Sequence, residues 1–149
     1  MPVGEICSRD VVVVQTNESV LEAAKLMRQH HVGDVVVVEE RGGVRVPVGL
    51  LTDRDLVVEV MATDLDPSVI TVGDIMEREL VSVKDATGIF EAIQYMHSKS
   101  VRRLPITDEN GGLLGILSLD DLLELLSEEL LAIAKLVRRQ PQKETRQRQ

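Results

Sequence analysis

Gly49-Leu50-Leu51-Thr52-Asp53-Arg54-Asp55-Leu56 recurs along the chain as Gly115-Ile116-Leu117-Ser118-Leu119-Asp120-Asp121-Leu122. In both stretches an apolar run ends on a hydroxyl residue, and an acid stands three positions later. Upstream, Val3 to Val38 lies over Val72 to Thr107 at an offset of 69 without a gap. The shared residues are Val3/Val72, Gly4/Gly73, Ile6/Ile75, Arg9/Arg78, Val12/Val81, Val14/Val83, Glu22/Glu91, Ala23/Ala92, Met27/Met96 and Val32/Val101. Chance would supply about two such identities at average residue frequencies. A three-residue difference in one loop separates this block from the Gly49 and Gly115 stretches. Two copies point to a pair about a pseudo-twofold axis, whereas a solenoid needs three or more units.

Each copy has the pattern strand, helix, strand, strand, helix. In the first, Val11 to Val14 is a short apolar run, and Ser19 and Glu22 have capping-box spacing. Val20, Ala23, Ala24 and Met27 then mark one face of a helix ending near His30 or His31. Val35 to Val38 is a second strand, Glu39 to Val46 a glycine-containing turn and Val48 to Leu51 a third strand. Asp53 to Met61 closes the copy as a helix. The second copy repeats this as Leu80 to Val83, Gly88 to Ser98, Leu104 to Thr107, Leu113 to Leu117 and a long helix from Leu119. Pro67, which cannot continue a helix, marks the boundary. The expected organisation is a first repeat over 1–66, a second over 67–130, and a helical extension with a polar, frayed tail over 131–149. Met27, Met61 and Met96 have core spacing, and Cys7 is expected as a small apolar plug.

Composition narrows the function classes. The chain has 149 residues, 44% of them hydrophobic, and its mean hydropathy is near zero. Its longest apolar runs are strand-length, far short of a membrane span. One cysteine among 149 residues excludes an internal disulfide framework, and a cytoplasmic location is expected. Seventeen basic against 25 acidic residues give a net charge of −8, against a nucleic-acid binder, which needs a basic footprint. Phe90 and Tyr95 are the only aromatics, too few for a base-stacking platform.

The order of elements carries a family resemblance together with three sequence features. These are the entry segments Val3-Gly4-Glu5-Ile6 and Val72-Gly73-Asp74-Ile75-Met76, the strand Val101-Arg102-Arg103-Leu104-Pro105-Ile106, and two Gly-x-x-[Thr/Ser]-x-x-Asp segments. Over roughly residues 3 to 130 the chain resembles a tandem pair of cystathionine-β-synthase-type (CBS) domains, a Bateman module. The resemblance implies an α/β (α+β) fold of two βαββα repeats. It also implies sheets face to face with helices outside, and two clefts in which adenosine-containing ligands bind.

Residue chemistry supports the same sites. Thr52 and Ser118 stand at helix starts, where free N–H groups favour phosphate. Asp55 and Asp121, acceptor-only when ionised, suit the two ribose hydroxyls; Asp120 belongs to the same segment. Both pairs also fit plain capping boxes, although such boxes prefer Glu or Gln at the last position. Arg102 and Arg103 are either a solvated edge pair or phosphate ligands. The resemblance favours Arg102 for phosphate, in the Asp121 cleft of its own copy; the alternative is that Arg102 or Arg103 reaches across to the Asp55 cleft. The first copy has Gly33 and Asp34 at these positions, and Arg54 is its candidate cation. Adenine would lie among aliphatic side chains, with Asp10, Val12 and Val32 serving the Asp121 cleft and Glu79, Val81 and Val101 the Asp55 cleft. The Asp121 cleft is expected to be the tighter site.

The expected function is therefore a regulatory sensor of adenine nucleotides, reporting through shape or association to an effector protein, with no required cofactor. The alternatives are a structural homodimerisation module, or one that binds S-adenosylmethionine or NAD(H). No nucleophile and base pair, metal triad or Walker loop supports an enzyme. A helix face of Leu122, Leu123, Leu126 and Leu130, with Leu56 to Val60, is expected to be exposed and to form a homodimer.

Overall fold

Ser19 starts the first long helix as its sequence requires: its hydroxyl accepts a hydrogen bond from the Glu22 N–H at 3.2 Å. The helix, α1, spans Val20–His30 and closes on His31 in the left-handed region at φ 55°. In the computed structural model, which describes residues 1–77 and 79–148 and only the backbone of 140–148, the other strands and helices follow in the repeated order. These are β1 (Val13–Gln15), β2 (Asp34–Arg41), β3 (Val44–Thr52), α2 (Asp53–Asp55), α3 (Val72–Ile75), β4 (Val83–Lys84), α4 (Ile89–Lys99), β5 (Arg103–Thr107), β6 (Leu113–Ser118) and α5 (Leu119–Arg148). The chain divides into two compact units, residues 1–117 and 118–149.

The strands form two three-stranded sheets, ordered β1-β2-β3 and β4-β5-β6. In each, the first strand runs parallel to the second, as Val13 beside Val36 and Val83 beside Ile106. Side chains alternate across a strand, so the burial of four consecutive residues, Val35 to Val38, means that both faces of β2 are covered. One face joins Val35 and Val37 to Val20, Ala23 and Met27 of α1. Leu104 to Thr107 are likewise buried in β5.

The expected turn between β2 and β3 is much shorter than Glu39 to Val46. The strands pair out to Arg41 and Val44, and only Gly42 and Gly43 remain, at φ 58° and 80°. Two successive positive φ angles suit a two-residue hairpin, which glycine enters without steric cost. The first strand of each copy is shorter than expected. Val11 and Val12 lie outside β1, and Leu80, Val81 and Ser82 lie outside β4.

Each copy begins on the other copy's sheet. The Val3 and Gly4 N–H groups donate to the carbonyls of Thr87 and Asp85 at 2.8 and 3.0 Å. Symmetrically, those of Val72 and Gly73 donate to Glu18 and Thr16 at 2.8 and 2.9 Å. Ser8 then bridges to Ile116, as Glu77 does to Leu50. These crossings explain the repeated glycines. A Cβ on Gly4 would lie 2.7 Å from Asp85 Cβ, and one on Gly73 would lie 3.0 Å from the Thr16 carbonyl oxygen. A Cβ on Gly115 would meet the Ser8 carbonyl oxygen and Cys7 Sγ, and one on Gly49 would lie 2.9 Å from Met76 Sδ. Cys7 is buried in this crossing, as its small size allows.

Two helical expectations need correction. After α2 the backbone widens into an i→i+5 helix over Leu56–Met61, with Ala62 N–H donating to Val57 and Leu65 N–H to Val60. This register turns Val60 into the core and leaves Met61 73% exposed, so Met61 is not a core residue. Within residues 118–149, α5 continues through Pro141 to Arg148 and is not frayed there. Its terminal Lys, Glu, Gln and Arg residues are good helix formers; Gln149 lies outside the described residues. Leu122 is buried, unlike Leu123, Leu126 and Leu130, so the expected exposed face loses Leu122 as well as Val60. Among the described residues, no helix is long and apolar enough to cross a membrane.

Candidate functional site

Where β3 ends, Thr52 and Asp55 lock the first turn of α2 by reciprocal bonds. Asp55 N–H donates to Thr52 Oγ1 at 3.1 Å, and Thr52 N–H donates to Asp55 Oδ2 at 2.9 Å. The pair is thus a capping box despite its short acid. Both residues nonetheless line a cleft of about 420 Å³. The box uses one carboxylate oxygen, so Asp55 keeps Oδ1 as a further acceptor.

Apart from Leu50 of β3, the rest of the described lining comes from the second copy. Glu77, Glu79, Leu80 and Val81 line it from the segment entering β4, Lys99, Ser100 and Val101 from the end of α4, and Arg103 and Pro105 from β5. The crossing of Glu77 over Leu50 brings this segment to the end of β3. Leu50, Leu80, Val81 and Val101 give the cleft aliphatic surface. Among the described residues, three carboxylates, Asp55, Glu77 and Glu79, and two cations, Lys99 and Arg103, line it. Such a set can accept hydrogen bonds from hydroxyls, hold a flat apolar ring and pair with an anion.

Arg103 is already engaged. Its Nε forms an ion pair with Asp34 Oδ2, the Asp34 side chain being 13% exposed and that of Arg103 38%. Asp34 Oδ2 is fully buried, and Arg103 is the cation that faces this carboxylate oxygen. Burial pushes the Asp34 carboxyl above the usual carboxylate range; the Arg103 guanidinium opposes this, and the Asp53 carboxylate adds to it.

Of the residues expected at the Asp55 cleft, Thr52, Asp55, Glu79, Val81 and Val101 are brought together, and Arg103 joins them from the second copy, the alternative to a phosphate arginine in the Asp121 cleft. Arg102 and Arg54 are exposed and absent from this lining. Asp10 is exposed, and its N–H donates to Ser8 Oγ at 3.3 Å. Val12 and Val32 pack against the first copy's core, and the Gly33 carbonyl accepts from Asp53 N–H at 2.9 Å. In residues 118–149, Ser118 Oγ accepts from Asp121 N–H at 3.0 Å, and Asp120 is exposed in the first turn.

Glu77, Lys99 and Ser100 were missing from the expected set. Ser100 takes φ 55° as the C-cap of α4, the counterpart of His31 after α1. The repeat offset locates this corner beside Val101, and that signal would have found Lys99 and Ser100.

Comparison with known proteins matches the CBS domain family model twice, to residues 3–62 and 72–128. An uncharacterized protein of Methanopyrus kandleri is 38% identical over 123 residues, 83% of this chain and 61% of that protein. The chain thus spans less than two thirds of that relative's length. The CBS domain-containing protein YhcV of Bacillus subtilis is 39% identical over 120 residues, 80% of this chain and 81% of that protein. Among solved structures, Hypoxic Response Protein I, crystallised with two coordinated zinc ions, superposes with a TM-score of 0.74 at 29% identity. That match covers 83% of this chain and 98% of the other.

Proposed function

Since this chain belongs to the CBS-domain family and carries the domain twice, we propose that it is a regulatory module that senses an adenosine-containing nucleotide in the Asp55 cleft. The carrying observation is that one cleft gathers a ribose-type acceptor at Asp55, aliphatic surface for a base, and two cations at Lys99 and Arg103. Asp55 Oδ1 receives a ribose hydroxyl while Oδ2 stays in the capping box. Arg103, with its forked guanidinium, and Lys99 take the phosphate. The cleft is built from both copies, so a ligand there joins first-copy β3 to second-copy β5, and occupancy alters the fit between repeats. That change of shape or association is the signal, passed to an effector protein.

The three carboxylates among the described lining residues, Asp55, Glu77 and Glu79, favour a second ligand class, an adenosyl compound carrying positive charge such as S-adenosylmethionine. Mass spectrometry of ligand carried through purification, with thermal unfolding in AMP, ADP, ATP, NAD(H) and S-adenosylmethionine, separates these. Stabilisation by at least one adenosyl ligand is expected. No shift with any of them would leave the structural homodimer as the better reading. Self-association is part of the proposal: Val57, Val58 and Met61, and separately Leu123, Leu126 and Leu130, expose apolar surface of the kind that marks interfaces. A cytoplasmic setting fits the unpaired thiol of Cys7, which burial pushes up from its ordinary value.

A further inference from the structure

Asp34 and Arg103 stand at the same position of the two copies, 69 residues apart. Two equivalent residues of a pseudo-twofold pair can touch only beside the axis, and these two touch. An identical charged pair there would set like charges against each other; the opposite charges make the position a tie between β2 and β5. The tie holds the arginine that lines the cleft, and its acid is the more buried partner.

We propose that Asp34 is the specificity-determining residue of the Asp55 cleft: a built-in anion that occupies Arg103 and that a ligand phosphate must displace. The inference rests on the functional reading above and adds to it the residue that limits affinity for phosphate. With Asp34 in place, a phosphorylated ligand gains Arg103 only by breaking an existing ion pair and leaving a buried carboxylate without its cation, which is costly. A nucleoside without phosphate leaves the pair intact. The cleft therefore discriminates weakly between adenosine and AMP, and phosphate binding releases the tie between the two central strands. Asp53 reinforces the arrangement. Its carboxylate stands beside Gly33, the neighbour of Asp34, where a Cβ would lie 3.2 Å from Asp53 Oδ2, so a second acid lies close to the pair.

The test is calorimetric titration of AMP and adenosine into the wild type, Asp34→Asn, Arg103→Gln and the double variant. Arg103 is partly exposed, so water can solvate it when Asp34 is neutralised; circular dichroism checks folding, and Asp34→Ser serves as a second neutral replacement. Freeing Arg103 should tighten AMP about tenfold or more, the scale of a charge-assisted hydrogen bond, and change adenosine little. In the Arg103→Gln background, neutralising Asp34 should bring no such gain. Equal changes for AMP and adenosine, or weaker AMP binding, would overturn the role of Asp34 while leaving the nucleotide reading intact. If no adenosyl ligand binds any variant, the nucleotide reading fails instead. Inorganic pyrophosphate then probes Arg103 directly: greater thermal stabilisation of Asp34→Asn than of wild type upholds the inference, and an equal response overturns it.

Discussion

At the scale of single residues, Asp34 has a consequence for stability as well as for binding. Burial, with Asp53 adding and Arg103 opposing, raises its carboxyl above the ordinary value of 3.8. The folded state therefore holds this proton more tightly than the unfolded chain. The stabilisation from the protonated form is fully present below the unfolded value and is lost as pH rises through the folded one. Asn mimics the protonated acid, so the stability of Asp34→Asn relative to wild type should rise between pH ~3 and pH ~7. Urea unfolding at both ends checks this, and a difference independent of pH would contradict it. The partnership was legible in principle, since Asp34 and Arg103 share a repeat position. A sequence shows each charge on its own strand, and only the axis brings them together. Glycines behave differently. Gly49 and Gly115 were visible as a repeated motif, but their cause is the crossing segment. Adding a methyl at Gly115 should cost about 1–3 kcal/mol, more than at Gly49, where the nearest atom belongs to the flexible Met76 thioether. Denaturation of both alanine variants should return that order.

At the scale of elements, the two long helices show how much the repeat reveals. Ser19 and Gly88 are equivalent N-caps with nearly the same backbone angles, φ −72°, ψ 153° and φ −71°, ψ 154°. Only Ser19 supplies a side-chain bond, and a Cβ at Gly88 meets nothing within 4 Å. Gly88→Ser should therefore stabilise the protein by about 0.5–1 kcal/mol, by capping α4 and by restricting the unfolded chain. A melting temperature unchanged or lowered in the variant would refute it. The start of α1 was readable from local chemistry, as were β2, β3, β5 and β6 from their apolar runs. The hairpin was not, although Gly42-Gly43 is a strong two-residue turn signal: charged Glu39, Glu40, Arg41 and Arg45 disguised strand residues as loop. The wide helix over Leu56–Met61 has no local signal, and the expectation of Met61 in the core rests on a 3.6-residue period that the backbone does not keep there.

At the scale of the molecule, the crossing of Val3–Glu5 and of α3 onto the opposite copy interlocks the repeats within residues 1–117. Neither copy completes its own sheet surroundings, so residues 1–66 alone should show no cooperative unfolding, whereas the full chain should. Circular dichroism under increasing urea distinguishes the outcomes, and a sharp transition in the isolated fragment would show the copies to be independent. This interlock was beyond local reading because it depends on contacts far apart in the chain, such as Gly4 with Asp85, Ser8 with Ile116 and Gly73 with Thr16. The same crossing sets Glu77 and its neighbours over Thr52 and Asp55 and so creates the cleft. Repeat number, family and part of the cleft, Thr52, Asp55, Glu79, Val81 and Val101, were written in the residues, but Glu77, Lys99 and Ser100 emerged only once the copies were interleaved. The most direct measurement is calorimetric titration of AMP into the wild type and Asp55→Ala, with folding confirmed for both. Saturable binding to the wild type that weakens about tenfold or more in Asp55→Ala is the predicted result; equal affinity in the two proteins would contradict a nucleotide site at Asp55.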